Sequence, residues 1–362
     1  MKHKLYNIRG TRYANLGQLD TAISYYEKAL SIKPNYAEAH YNLGITLHRL
    51  GQLDAAVRSY KKVVAIKPDY AESHNNKILS VIYFFTNGQI LDAIDTLEAL
   101  IKDNPNDALL FNMSGGCYAS LGQPDKAIRY YKQALDIKPD YAVPQHMLNA
   151  LTGNESTEPP KEYVKNLFND FAERFDDSLV QKLDYKLPFL MKELILKLDP
   201  TRNKFKKVID LGCGTGLSGK GLRDISENLT GIDLSTNMVA KARELEVYDH
   251  LIVGDIIDTL SMSTEKYDLF IALDVFVYLG ELTTIFKTVR DCCNKNAFFI
   301  FSVESQAGDS YSLLKSARYS HSEEYVLKTA SDGFKLIESQ EVKIRKEKDG
   351  WINGKIFILQ AS

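Results

Sequence analysis

The sequence predicts a multidomain chain: an all-α solenoid of helical repeats followed by an α/β Rossmann-like fold with a seven-stranded mixed sheet. Three observations carry this expectation. Gly17, Gly51, Gly88 and Gly122 lie 34, 37 and 34 residues apart, and Pro34, Pro68, Pro105 and Pro139 keep the same intervals. From Phe205 onward, short β-branched runs alternate with helical stretches, the pattern of a parallel sheet with crossovers. Between them lies GNESTEPP, whose Pro, Ser and Glu content suits a connecting segment. A length of 362 residues also fits two domains at roughly 100–200 residues each.

In the first half, repeat starts at His3, Ala37, Ala71 and Ala108 bring small and aromatic residues into register. The first repeat gives Tyr6, Gly10, Tyr13, Ala22, Tyr26, Ala29 and Pro34; the fourth gives Phe111, Gly115, Tyr118, Ala127, Tyr131, Ala134 and Pro139. Gly10, Gly44 and Gly115 let paired helices cross closely, and Tyr26, Tyr60 or Tyr131 fills the seam. This 34-residue pattern resembles the tetratricopeptide repeats. The resemblance implies a protein or peptide partner on the concave face lined by the first helix of each repeat. Asn7, Thr11 and Asn42 stand where carboxylate-capturing members of that class carry Lys, Arg and Asn, so capture of a chain terminus is not expected. Asn42, Asn76 and Asn112 remain candidates for bonding a peptide backbone. YAVPQHMLNALTG reads as a cap helix. The expected boundaries are four repeats and a cap over 1–152, a linker over 153–160, and a second domain over 161–362, with N-terminal helices in 161–204 and the Rossmann-like core in 205–362.

The strands of the second half are KVIDLGCGTG, LTGIDLS, LIVGD, YDLFIALDV, AFFIFSVES, FKLIESQEVKI and KIFILQA. KDGWING between the last two is short enough for a hairpin, so the final strand should run antiparallel. In VIDLGCGTG, Gly212, Gly214 and Gly216 remove Cβ atoms where a backbone must approach a ligand, just before a helix N-terminus. Gly214, Gly216 and Gly219 also satisfy a dinucleotide-binding pattern, so the glycines alone leave a nicotinamide cofactor open.

The acids decide between them. Asp233 ends the second strand, where a carboxylate can accept both hydrogens of a ribose diol. Asp255 ends the third, in reach of an exocyclic adenine amine. Asp274 ends the fourth, beside the reacting end of a ligand, and Asp210 at the first strand's mouth suits an ammonium while repelling pyrophosphate.

With DLGCGTG, GIDLS, GD and DVFVYL in this order, the sequence resembles the class I S-adenosylmethionine-dependent methyltransferases over roughly Tyr163 to Gln360. Together with FNDFAERFDDSLVQKLDYKLP and RYSHSEEYV, it is similar to a bacterial family of methyltransferases with N-terminal tetratricopeptide repeats. That implies S-adenosyl-L-methionine as cofactor, with Gly212, Gly214, Gly216, Asp233 and Asp255 holding it and Leu234 and Ile256, each just after its acid, sandwiching the adenine ring. Phe168, Phe171 and Phe175 form a helical stripe that is core or lid, and Tyr185 or Lys186 could meet the methionyl carboxylate. Tyr278, Glu304, Tyr319 and His321 could line an acceptor pocket, with His321 and Tyr278 as the catalytic candidates and an oxygen or carboxylate as the preferred acceptor. DVFVYL lacks the tetrad used for amino methylation of adenine or glutamine. The alternative function is an inactive repeat adaptor or scaffold that senses the cofactor.

Composition sets the remaining bounds. With 45 Lys and Arg against 47 Asp and Glu, the net charge is −2. Neither half carries the cationic excess that nucleic acid needs. Cys117, Cys213, Cys292 and Cys293 form no CxxC, so neither a disulfide framework nor a metal site is expected. No uncharged apolar stretch reaches about 18 residues and MKHKLYNIRG lacks an apolar core, so a cytoplasmic protein without membrane association is expected.

Overall fold

The computed structural model describes residues 2–50, 52–67, 77–154, 156–172, 175–176, 185–198, 204–347 and 350–362. Within the repeat half, Gly51, Pro68, Ala71 and Asn76 lie outside the described residues, as do parts of FNDFAERFDDSLVQKLDYKLP and KDGWING. The chain divides into two compact units, Met1–Leu148 and Asn149–Ser362.

The first unit is built of helix pairs: α1 (Lys2–Asn15) with α2 (Leu19–Ile32), α3 (Ala37–Arg49) with α4 (Leu53–Ile66), α5 (Lys77–Thr86) with α6 (Ile90–Asp103), and α7 (Ala108–Ser120) with α8 (Pro124–Ile137). One packing device recurs in three of them. A Cβ added to Gly10, Gly44 or Gly115 would lie 2.6, 2.7 or 2.5 Å from the ring of Tyr26, Tyr60 or Tyr131, so each tyrosine ring lies flat over bare backbone. All three rings are buried. Gly17, Gly88 and Gly122 take φ of 76°, 76° and 68°, the left-handed turn that ends the first helix of a pair. Asn42 Nδ2 donates to Asn7 Oδ1 at 3.1 Å, and Asn112 Nδ2 donates to Tyr141 Oη at 3.1 Å, so both amides are engaged inside the array. The segment read as a cap forms α9 (Ala142–Thr152).

In the second unit, α10 (Lys161–Phe171) and α11 (Leu187–Leu198) precede a sheet whose first five strands are β1 (Phe205–Leu211), β2 (Ser226–Asp233), β3 (His250–Val253), β4 (Tyr267–Ala272) and β5 (Cys293–Ser305). These five are parallel in the order β3-β2-β1-β4-β5. The hairpin of β8 (Phe334–Glu347) and β9 (Gly350–Ala361) completes it, with β9 antiparallel to β5 from Phe298↔Gln360 to Glu304↔Gly354.

The expected seven-stranded sheet is thus present, and two short strands are added to it, giving nine among the described residues. β6 (Tyr311–Leu313) and β7 (Tyr319–His321) form a hairpin whose β7 pairs with Glu304 and Ser305, past Phe301, the last β5 residue paired to β4. Three-residue strands have too few positions to display an alternation, so the sequence does not announce them.

Sheet residues alternate strictly between two cores. Ile209, Phe270, Phe299, Phe301 and Phe357 face one, with Phe276, Phe286 and Phe334 packed on them. Val208, Leu269, Ile271, Ile300, Ile356 and Ile358 face the other, against Met191 and Leu194 of α11. Both faces are covered, as a parallel sheet requires.

The segment read as a linker is partly engaged by this unit. The Thr157 carbonyl accepts from Gly280 N at 2.9 Å and Glu281 N at 3.0 Å.

Candidate active site

The carboxyl ends of β1 to β4 open onto a cavity of about 430 Å³. After Leu211 the chain turns through Gly212, Gly214 and Gly216 with φ of 71°, 53° and 93°. A Cβ at Gly212 would sit 2.5 Å from Val275 Cγ2, so the first glycine is dictated by the turn after β4. Gly212 N and Cys213 N both donate to Ile232 O, at 2.8 and 2.9 Å, fastening the loop across β2.

Asp233 stands where β2 ends. Its Oδ2 accepts from Gly214 N at 2.9 Å and its Oδ1 from Ser235 N at 2.8 Å. Both oxygens are oriented by backbone, and each keeps a further lone pair for a ligand hydroxyl. Burial pushes Asp233 up to about 6, with the two backbone bonds acting against the rise. Asp255 caps the helix Ile256–Ser261 through Asp258 N at 3.0 Å, and its other oxygen meets Lys161 Nζ at 3.2 Å. Gly212, Gly214, Asp233, Leu234, Asp255, Ile256, Asp274 and Tyr278 all line the cavity.

Asp210, Gly216 and His321, expected at the site, are not among the lining residues. Asp210 shares the sheet face of Val208 and is 1% exposed; it accepts from Tyr248 Oη at 2.6 Å. Burial pushes it up to about 7, while the Tyr248 hydrogen bond lowers it and the nearby Asp233 charge raises it. It therefore braces the loop from behind. Gly216 caps the short helix Leu217–Leu222, and a Cβ there would lie 2.9 Å from Leu245 Cδ1. Its bareness serves helix packing.

His321 lies in β7 and not in a loop before the helix Glu323–Ala330, which Ser322 caps through Tyr325 N. It is 1% exposed; Nε2 meets the Gly280 carbonyl at 3.0 Å, and the ring stacks on Tyr325 at 5.9 Å. Burial holds it down to about 4, so the imidazole is neutral and enclosed, the opposite of an accessible base. Tyr319 is fully buried and, like Glu304, is not among the lining residues.

Several lining residues carry no sequence motif. Val164, Leu167 and Phe168 of α10 cover the cavity, and the Phe168 ring meets Tyr278 edge-on at 5.1 Å. Asn169 Oδ1 accepts from Ser235 Oγ at 2.7 Å, tying α10 to the end of β2. Phe175 and Tyr185 line the cavity as well; Lys186 does not. At the β4 side, Arg345 Nη1 donates to Asp274 Oδ1 at 2.7 Å, its Nη2 donates to Glu304, and Arg318 Nη1 stands 3.8 Å from Glu304 Oε1. Asp274 itself has φ of 58°, with its N–H held by Ser302 Oγ at 2.8 Å. Acids line the site at the ends of β2, β3 and β4, with Lys161 over β3 and two guanidinium groups beyond β4.

Comparisons with known proteins agree with both halves. Residues 209–301 match the family described as methyltransferase domain; residues 10–51 match the one described as TPR repeat; residues 37–70 and 80–142 match tetratricopeptide repeat families. The ubiquinone biosynthesis O-methyltransferase of Glaesserella parasuis is 26% identical over 161 residues, covering 41% of this chain and 66% of that protein. The chain thus spans just under two thirds of that relative's length. A peroxisomal targeting signal receptor of Candida glabrata is 35% identical over 60 residues, 17% of this chain and 10% of the receptor. Among solved structures, the magnesium protoporphyrin IX methyltransferase of Synechocystis PCC 6803 overlays with a TM-score of 0.44 at 20% identity, covering 56% of this chain and all of that one.

Proposed function

From a chain that carries tetratricopeptide repeats followed by a methyltransferase domain, we propose an S-adenosylmethionine-dependent methyltransferase whose repeats recruit a protein partner. The observation that carries this reading is Asp233, both of whose oxygens are set by backbone N–H groups at the wall of the cavity. A carboxylate held so can accept the two hydroxyls of a ribose, while Gly214, whose Cβ position meets only Phe175 at 3.8 Å, leaves room beside it.

Bound S-adenosylmethionine supplies a methyl group on a positively charged sulfur, ready for transfer to a nucleophile. The protein's task is alignment and exclusion of water. Leu234 and Ile256 offer two apolar surfaces for an adenine ring, and Asp255 an acceptor at its edge. Asp274, fixed by Arg345 and Ser302, presents a carboxylate toward the cationic end. Phe168, Leu167 and Val164 keep the cavity apolar above. Tyr278 positions the acceptor; burial raises its phenol, so it serves as a neutral hydrogen-bonding group. An ionised acceptor oxygen would take the methyl as the S–CH3 bond breaks, the electron pair staying on sulfur; a hydroxyl acceptor would give its proton to solvent.

The repeats present the first helix of each pair to a protein partner, and a cytoplasmic setting agrees with cysteines that form no disulfide. Calorimetric titration of the full-length chain tests the reading. S-adenosylhomocysteine should bind in the micromolar range, roughly −8 kcal/mol or tighter, and NAD should give no heat. Binding of NAD alone would sink it.

A further inference from the structure

The β6–β7 hairpin is an addition to the seven strands that the sequence announces, and its position says what it is for. It extends the edge of β5 beyond the end of β4 through the pairs Glu304↔Ser320 and Ser305↔His321. It is also fixed to the segment that follows β4. His321 Nε2 meets Gly280 O at 3.0 Å, and a Cβ at Gly280 would lie 2.7 Å from both Tyr311 and Tyr319. The turn between the strands is closed by Leu314 N donating to Arg318 O at 2.7 Å, with Ala317 in the left-handed region at φ 62°. The residue this tight turn delivers to the cavity is Arg318.

Three cations line the cavity among the described residues. Lys161 is committed to Asp255 and Asp258 at 3.2 and 3.1 Å, over the β3 end. Arg345 is 3% exposed and bridges Asp274 and Glu304. Arg318, carried by the hairpin beyond β4, is more exposed than Arg345, 28% against 3%, and its acidic neighbour Glu304 is 5% exposed, so the positive member of that pair is the one at the cavity. It also hydrogen-bonds the Tyr278 side chain, and a guanidinium has five donors in a planar fork suited to a carboxylate. Around it the wall is apolar and aromatic: Phe168, Tyr278 and Leu279.

We propose that Arg318, presented by the β6–β7 hairpin, reads the methyl acceptor, and that the acceptor is a small organic acid whose carboxylate seats at Arg318 while its apolar body lies against Phe168, Tyr278 and Leu279. The inference rests on the methyltransferase reading, which gives the ends of β1 to β3 to the cofactor and leaves the wall beyond β4, where Arg318 stands, to the acceptor. The proposal concerns recognition: Arg318 is a specificity residue for the acid group.

The test is saturation-transfer NMR on the full-length protein saturated with S-adenosylhomocysteine, using phenylacetate, hexanoate and indole-3-acetate, each paired with its neutral amide. At least one acid should bind tenfold or more tightly than its amide. Arg318→Gln should abolish that preference without changing the dissociation constant of S-adenosylhomocysteine, and Arg318→Lys should restore part of it. Acids and amides binding alike, or an acid preference that survives Arg318→Gln, would overturn the proposal and leave the cofactor reading standing. Failure of S-adenosylhomocysteine to bind in the first place would overturn both.

Discussion

Arg345 of β8 holds Asp274 at the end of β4 by a 2.7 Å hydrogen bond across 71 residues of sequence, and it holds Glu304 with its other nitrogen. The guanidinium is nearly enclosed, so its charge is balanced by these two carboxylates and not by water. Removing one partner of such a cluster strands the others in a poorly solvated place.

Arg345→Met should therefore lower the stability of the second unit by about 3–5 kcal/mol. The chain's one tryptophan, Trp351, lies in β9 opposite Lys346 of β8. Its fluorescence in a urea titration reports this unit directly. Adding Asp274→Asn and Glu304→Gln to Arg345→Met should recover part of the loss; a single variant as stable as wild type would remove the cluster from the stability of the fold.

Asp233→Ala takes away both the ligand's acceptor and the partner of Gly214 N and Ser235 N. The expected loss in S-adenosylhomocysteine binding is about 1.5–3 kcal/mol, roughly ten- to 150-fold in the dissociation constant. Calorimetry with far-ultraviolet circular dichroism as a folding control checks it, and an unchanged constant would exclude Asp233 from the site.

The pH dependence has a definite sign. Asp210 and Asp233 are raised by burial to about 7 and about 6. From the unfolded value near 4, the folded state thus binds more protons, and these two acids make the protein less stable as pH rises toward 7. His321, lowered to about 4, contributes stability in the opposite direction, losing it as pH falls from about 6.5 to 4. The aspartate contribution is isolated by comparing wild type with Asp210→Asn: wild type should lose stability relative to the variant between about pH 4 and 7, and a constant difference would refute the assignment. Affinity for S-adenosylhomocysteine should rise from pH 5 to 7 as Asp233 ionises.

Two adjacent glycines in α7 should respond oppositely. A methyl at Gly115 would lie 2.5 Å from the Tyr131 ring, whereas the nearest atom to a methyl at Gly116 is Tyr131 Oη at 4.0 Å. Gly115→Ala should destabilise the repeats by about 1–3 kcal/mol. Gly116→Ala should stabilise them by up to about 1 kcal/mol, the helix-propensity gain. Thermal melts of the two variants decide it, and equal shifts would refute the seam geometry.

What the sequence disclosed was whatever local chemistry repeats or concentrates. The repeat glycines and tyrosines announce themselves by period; Gly212, Gly214, Asp233 and Asp255 announce themselves because a strand, a tight turn and a terminal acid are contiguous. The position of Asp210 at a strand end is visible in the sequence, while its face follows from its parity with Val208, which directs it under the loop. Tyr248, Arg318 and Arg345 gave no signal, since each is a single side chain brought in from a distant turn or strand. His321 sits in a three-residue strand whose only pattern is its pairing partner.

The order of strands in space has a consequence for synthesis. β9 follows β8 along the chain yet lies between β5 and β8 in the sheet. On the ribosome, β8 has no edge to join until β9 has emerged and inserted, so Arg345 cannot reach Asp274 and Glu304 before then. A nascent chain stalled after β8 would carry every glycine and aspartate of the cavity, and Arg345 as well, without the strand that holds Arg345 against Asp274 and Glu304. Completion of the pocket is coupled to translation of β9, and the finished hairpin certifies that the polypeptide has been read through to that point.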